Sequence, residues 1–348
     1  MIRFWFRTGL AAIFLTAATS ACAETKLLLS TFFPTTHPIY AQVLVPWAKD
    51  VEAKTQGRVK VEFAASSLAP PPGQLDMVQR GIADISLQFA GVVPNRLQPE
   101  LVTELPGPVG TSVQMSAALW ATNERFFSKD AGRYRGLHLL ALVAFPPQEF
   151  FCVKTCPSGI DAIRSSKIAT TPGTVARQYG ALTSGVVAGP AVRYFEVVSK
   201  GIVDSYAGVT AMDALSFNLA PSTTGILRAR GVGSAGSFAL VVNAGKWSAI
   251  EAADRTAIDA LSGAAFAARM AALDTANAAA LKKLTDSGVA VQEVDASFET
   301  ALRKAWTFLD DEWKQEAGKR GFDAAAALTF YRQQVQAGDA AADAGKRK

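Results

Sequence analysis

Residues 80–86 read RGIADIS, and residues 200–206 read KGIVDSY. Each stretch holds a basic residue, a glycine, an isoleucine, a small apolar residue and an aspartate. A helical pattern precedes each one: LDMVQ at 75–79 and VRYFEVVS at 192–199. Gly81 and Gly201 therefore stand where a helix must stop in a left-handed turn, which glycine adopts without steric cost. The isoleucine is then expected to lead into a buried strand. A chain that makes this helix–glycine–strand move twice builds two similar α/β lobes. Two lobes imply a crevice, and in open α/β sheets ligands collect near the carboxyl ends of strands.

Working outward from the first copy, KLLLSTFF (26–33) reads as a buried strand. The segment 37–57 reads as a helix with Val43, Leu44, Trp47 and Val51 on one face. Pro46 inside it implies a kink or a late start. RVKVEFA (58–64) alternates charged and apolar residues as a strand does. Residues 70–81 open on prolines and close on Gly81, as a helix does. IADISLQFAG (82–91) is the third strand. Strand–helix–strand–helix–strand points to a parallel sheet with crossover helices.

The alternation continues with a helix near 111–128 and a strand at 137–145. It restarts with strands EFFCVKT (149–155) and KIATTP (167–172), helices at 174–185 and 191–201, and the strand IVDSYAG (202–208). Segments 210–220 and 237–245 complete the set. One very long helical stretch is expected from about 248 to 286, with Ile258, Leu261, Phe266, Met270, Leu273, Leu281 and Leu284 on its apolar face and Gly263 marking a bend. VAVQEV (289–294) is a strand. Two terminal helices follow, the first carrying Leu302, Leu309 and Trp313.

The 348 residues suffice for two domains with large cores. With 49% hydrophobic and 19% charged residues the chain is not a disordered one. The net charge of +5 comes without a Lys/Arg block, which gives no reason to invoke nucleic acid. At the N-terminus, Arg3 and Arg7 precede an apolar run too short to span a bilayer, and Ala21-Cys22-Ala23 fits a small-x-small cleavage site. Residues 1–23 therefore read as a cleavable signal peptide. An uncleaved anchor and a lipid anchor through Cys22 stand as alternatives, the second weakened by Thr19 where a lipobox usually has Leu. No later segment is apolar enough to span a membrane, so an exported protein of the periplasm is expected. In an oxidising compartment Cys152 and Cys156 are expected to form a local disulfide. A zinc site would need more ligands than His37 and His138 supply, and no metal or other cofactor is expected.

The pieces THPIY (36–40), VEAKTQGRVKVEF (51–63), LDMVQRGIADISL (75–87), SSKIATTPG (165–173), VSKGIVDSYAG (198–208) and LVVNAGKW (240–247) resemble, in order and spacing, the extracytoplasmic solute receptors of TRAP transporters. The resemblance covers nearly the whole mature chain. It implies an α/β, two-lobed periplasmic-binding-protein-like fold, each lobe a sheet flanked by helices, with a long helix spanning both lobes. The implied division is residues 1–23 signal peptide, 24–145 first part of lobe I, 146–235 first part of lobe II, 236–295 return to lobe I and spanning helix, and 296–348 terminal helices packing on lobe II. The implied activity is capture of a small organic solute and delivery to a permease with a small and a large integral membrane subunit, without catalysis.

The pattern breaks at the ligand clamp. The family's usual arginine after Lys-Ile, suited to gripping a carboxylate through two parallel hydrogen bonds, is Ala169 here. A second arginine of many members aligns near Glu149. The residues then expected around the crevice are Phe33, His37, Phe89, Phe145, Glu149, Thr170, Thr171 and Tyr206, a set that suits an uncharged or cationic solute with an apolar body. Each has a plainer reading: core packing for the phenylalanines, a solvated Glu149, a helix cap for Thr170 and Thr171, a helix start at His37. Asp84 and Asp204 read as structural. Arg177 or Arg193 reaching the site would restore a carboxylate clamp. A receptor feeding a sensor or an ABC permease shares most of these features. An enzyme is the remoter alternative: GVGSAG (231–236) matches a nucleotide-loop pattern, but a strand follows it where such a loop needs a helix.

Overall fold

In the computed structural model, which describes residues 24–130 and 132–346, the strands form two sheets. Residues 1–23, with Cys22, expected to be a signal peptide, lie outside the described residues. The strands are β1 (Thr25–Ser30), β2 (Val59–Phe63), β3 (Ile85–Phe89), β4 (Leu137–Ala144), β5 (Glu149–Cys152), β6 (Ile168–Thr170), β7 (Val186–Ala188), β8 (Ser205–Val209), β9 (Gly225–Arg228), β10 (Ser237–Asn243) and β11 (Ala290–Glu293). The first sheet runs β2-β1-β3-β10-β4, and the second runs β11-β9-β5-β8-β6-β7. Apart from the edge strand β11, the two orders match. A parallel trio, β2-β1-β3 or β7-β6-β8, is followed by an antiparallel strand, β10 or β5. That antiparallel strand arrives from the other lobe in both cases, so the chain crosses between lobes at each.

The repeated motif does the same work twice. Gly81 (φ +71°) and Gly201 (φ +65°) occupy the left-handed region. Asp84 and Asp204 then grip the neighbouring strand. Asp84 Oδ2 accepts the Leu28 N–H at 2.8 Å and Asp204 Oδ2 accepts the Lys167 N–H at 2.8 Å. The backbone N–H of each aspartate donates back, to the Leu28 and Lys167 carbonyls. A lysine salts each carboxylate, Lys246 at 3.4 Å and Lys154 at 2.6 Å. Lys154 and the Lys167 N–H hold the Asp204 carboxyl below the usual range. The isoleucines correct the expectation of burial: Ile82 is 55% and Ile202 46% exposed. The left-handed turn points the next residue outward, and Ala83 and Val203 are the residues that enter the core.

Pro46 sits in the first turn of the helix Val45–Lys54, after a wider π-helical turn at Ile39–Leu44 that accommodates its missing N–H. The long helical stretch is shorter than its periodicity suggests. Helices Ala244–Ala249 and Ala252–Asp259 stand apart, and a continuous helical run begins at Gly263 and ends at Asp286. Gly263 (φ +54°) is required there, because a Cβ would lie 2.7 Å from the Trp120 ring.

That run spans both lobes. It packs on helix Ser112–Thr122 and β4 of the first lobe and on helix Ala211–Ser216 of the second. One face of it supplies a cap to each: Asp274 accepts the Ser112 N–H at 2.8 Å, and Asn277 accepts the Met212 N–H at 3.2 Å.

The terminal helices divide between the lobes, in contrast to a single docking place on the second. Trp306, closing helix Ala296–Trp306, donates to the Gln178 carbonyl of lobe II at 2.7 Å. Trp313 of helix Phe308–Gly318 donates to the Gln98 carbonyl of lobe I at 3.0 Å. Helix Ala324–Lys346 lies along Ser112–Thr122. Their apolar residues follow the seam rather than one lobe. Cys152 and Cys156 form a disulfide, and Gly225 on β9 leaves room for it, since a Cβ would come within 2.6 Å of Cys156 Sγ.

Candidate functional site

The strands of both lobes end at one cleft. β1 and β4 run out at Phe33 and Phe145, β3 ends on Phe89, and β10, entering antiparallel, brings Phe238 among them. Phe145 and Phe238 stack with centroids 4.0 Å apart. Phe33 lies 5.6 Å from Phe145, and Phe89 lies 5.2 Å from Phe238. Phe32 and Phe217 complete a box of six phenylalanines around a cavity of about 50 Å³. The second lobe closes it with Gln148, Thr171, the Pro190–Val192 segment and residues 208–210.

The polar part of this cavity is small. Among the described residues, its one charged lining side chain is Asp213, and no Lys, Arg or His lines it. Thr210 and Asp213 form a capping box at the start of helix Ala211–Ser216. Asp213 Oδ2 accepts from the Thr210 N–H (2.8 Å) and hydroxyl (2.7 Å). Its Oδ1 accepts from His37 Nε2 at 2.8 Å. His37 Nδ1 accepts the Ile39 N–H at 3.1 Å, so the ring hydrogen of the neutral imidazole belongs to Nε2. His37 is thus a buried support that ties the first lobe to Asp213 of the second. Thr171 Oγ1 is buried at the cavity wall without a partner among the described residues. Gly208 (φ +81°) gives it space, because a Cβ there would stand 2.4 Å from Thr171 Oγ1.

Of the residues expected at the crevice, Phe33, Phe89, Phe145 and Thr171 line this cavity, and His37 stands behind Asp213. Thr170 is buried in β6 and does not line it. Tyr206 is inside the second lobe, stacked on Phe151 at 4.7 Å and bonded through its hydroxyl to Thr223 at 2.6 Å. Glu149 pairs with Arg228 at 2.8 Å and faces a second cavity behind Gln148. Burial pushes its carboxyl up to about 7, with Arg228 pulling the other way. Ala169 is buried between β7 and β8, opposite Val187 and Tyr206. Arg177 pairs with Glu312 on a terminal helix, and Arg193 is exposed, so neither lines the cavity. GVGSAG runs into β10, a strand, as its pattern suggests.

Phe32, Gln148, Asp213, Phe217 and Phe238 escape a reading of the sequence. Asp213 carries a signal, Thr-x-x-Asp at 210–213, but that signal denotes a helix cap rather than a binding wall.

The lobes touch beside the cavity. Gly173 (φ +81°) of the second lobe would place a Cβ 2.6 Å from the Gly91 carbonyl oxygen of the first. Behind this contact Glu104 is fully buried, beside Ser237 and Thr174. Burial pushes it up to about 8, although Ser237 and Thr174 hold it lower.

No family model matches the chain. A curated relative, the outer membrane transporter protein TsaT of Comamonas testosteroni, is 31% identical over 335 residues, or 95% of this chain and 99% of the relative. A TRAP periplasmic solute-binding protein from Bordetella bronchiseptica, holding (R)- and (S)-mandelate, is similar in structure with a TM-score of 0.85. It is 26% identical, over 90% of this chain and 99% of that one. A TRAP solute-binding protein from Rhodoferax ferrireducens with copurified benzoate gives a TM-score of 0.83 at 20% identity, over 92% and 100% of the two chains, and shows the fold alone. Two matched lobes, a spanning helix and a cleft at the strand ends agree with these likenesses: the chain belongs to the family of TRAP periplasmic solute-binding proteins and is a receptor for a small organic solute.

Proposed function

We propose that the phenylalanine box holds the ring of a small aromatic solute whose polar end is uncharged or cationic. The observation that carries this reading is the polarity of the cavity: Asp213 supplies its charge, and no cationic side chain lines it among the described residues. A carboxylate entering there would lose its hydration, face Asp213 and gain no counter-charge, at a cost of several kcal/mol. An amine would meet aromatic faces and a carboxylate, and a hydroxyl or amide would meet the unpartnered Thr171 hydroxyl. The mandelate of the Bordetella receptor and the benzoate of the Rhodoferax one support an aromatic ring. They also favour a second reading, an aromatic acid, which would require a cation to enter with the ligand.

The rest of the proposal follows the family. The receptor works in the periplasm after removal of residues 1–23, and hands its solute to the small and large membrane subunits of a TRAP permease. Among the described residues, no helix is long and apolar enough to cross a membrane. The lobes divide at 145/146 and 235/236, where the chain crosses between sheets.

A thermal-shift screen of residues 24–348 tests the ligand class with benzyl alcohol, benzamide, benzylamine and benzoate. Ligand at 100 times its Kd stabilises the fold by about 2.7 kcal/mol. Stabilisation by the first three is expected, with Thr171→Val weakening the alcohol and amide. Stabilisation by benzoate alone would establish the acid reading instead.

A further inference from the structure

Behind the phenylalanine box lies a second cavity of about 60 Å³ inside the second lobe. Among the described residues, two, Gln148 and Gly208, line both cavities and so stand between them. Gly208 contributes backbone only. The Gln148 side chain is held by two hydrogen bonds: Nε2 donates to the Gly208 carbonyl at 3.1 Å, and Oε1 accepts from the Ser234 hydroxyl at 3.2 Å. A glutamine has three side-chain torsions, so it can leave this position with the backbone fixed.

The second cavity is not a plain packing void. Its walls combine the apolar Val175, Leu227 and Phe298 with Glu149, Gln178 and Ser234. Arg228 engages one oxygen of Glu149 only: its Nε lies 2.9 Å and its Nη2 2.8 Å from Oε1. Among the described residues none donates a hydrogen bond to Glu149 Oε2, and Glu149 and Arg228 also line an open groove on the other side. A carboxylate oxygen with no partner in the protein is free to accept from a donor that reaches it.

Resting on the aromatic-solute reading above, we infer that the second cavity is an extension subsite: Gln148 sets the length of the ligand, and a tail ending in a hydroxyl or ammonium passes it to donate to Glu149 Oε2. The raised carboxyl of Glu149 agrees with a group that gains from such a donor when it ionises. Gln148 is then the specificity-determining residue of the receptor, dividing ligands that fill only the box from those that fill both spaces.

Calorimetric titration of residues 24–348 with benzyl alcohol and with its para-hydroxymethyl homologue reads this. The homologue is expected to bind at least tenfold more tightly in the wild type. That advantage should shrink to twofold or less in Glu149→Gln and grow in Gln148→Ala, where the side chain between the cavities is removed. Equal or weaker binding of the homologue in the wild type overturns the extension subsite and leaves the ring site standing. Absence of binding by both compounds overturns the ring site, and the subsite with it. If Glu149→Gln does not fold, a crystal structure of the wild type with the homologue decides. A tail hydroxyl within hydrogen-bond distance of Glu149 Oε2 and a displaced Gln148 support the inference, and a tail directed to solvent contradicts it.

Discussion

His37 of the first lobe donates its Nε2 hydrogen to Asp213 Oδ1 of the second across 2.8 Å of fully buried space. The bond joins the loop after β1 to the helix after β8, directly behind the phenylalanine box. Rings of Phe33 and Phe217 lie 4.5 and 5.9 Å from the imidazole, so the pair also steadies the aromatic wall. Replacing His37 by Leu leaves a buried carboxylate oxygen without its donor, which costs about 1–3 kcal/mol. Urea unfolding of His37→Leu should show that loss, together with weaker ligand binding. Unchanged stability would mean that the contact is not energetically coupled to the fold.

The two lobes approach closely at Gly173. An alanine there meets both a left-handed backbone and the Gly91 carbonyl of the opposite lobe at 2.6 Å. Gly173→Ala should hold the lobes apart and weaken ligand at least tenfold, with a larger radius of gyration by X-ray scattering in the presence of ligand. Gly81→Ala is the control: nothing lies within 4 Å of its Cβ position, so the backbone penalty of about 1–2 kcal/mol is the whole effect. A closed, fully active Gly173→Ala protein would refute the close approach.

Glu104 makes stability depend on pH. Its carboxyl is raised to about 8 in the folded chain by burial, above its ordinary 4.5. The folded state thus keeps a proton that the unfolded state releases. This contribution is complete below about pH 4.5 and is lost as pH rises through about 8. Glu149, raised to about 7, adds in the same direction. Glu104→Gln should raise stability at pH 8.5 by about 2–4 kcal/mol relative to wild type and leave the shallower slope due to Glu149. Denaturant titrations at pH 5.5 and 8.5 measure it, and parallel pH profiles for the two proteins would refute it.

The disulfide closes a very short loop, so the chain-entropy contribution is about 2 kcal/mol. Cys156→Ser should lower stability by no more than that and leave ligand binding intact. Alkylation of both thiols in folded, unreduced protein would show that the bond does not form.

Much of the architecture is legible in the chain because it rests on local chemistry. Gly81 and Gly201 announce helix ends, an apolar run announces β1, and an alternating pattern announces β2. The short strands β7 and β9, of three and four residues, leave too little periodicity to read. The long helix looks longer than it is because apolar spacing continues across the breaks that precede Gly263, the residue whose pattern marks a bend and whose missing Cβ makes room for the Trp120 ring.

The site was legible in part for the same reason. Phe33, Phe89 and Phe145 lie at strand ends that the pattern locates. Phe238 reaches the cavity through an antiparallel crossover from the other lobe, which no spacing encodes, and Asp213 does so from a helix cap whose pattern denotes only the cap. Tyr206 and Thr170 sit on the expected strands of the second lobe, yet neither reaches the cavity.

The most direct measurement is competitive calorimetry of the mature receptor with benzylamine and benzoate, two rings that differ in the sign of one charge. With Asp213 as the charged group of the cavity wall, benzylamine is predicted to bind at least tenfold more tightly. Tighter binding of benzoate would contradict the account, since a carboxylate would then be held beside Asp213 with no cation in the wall to receive it.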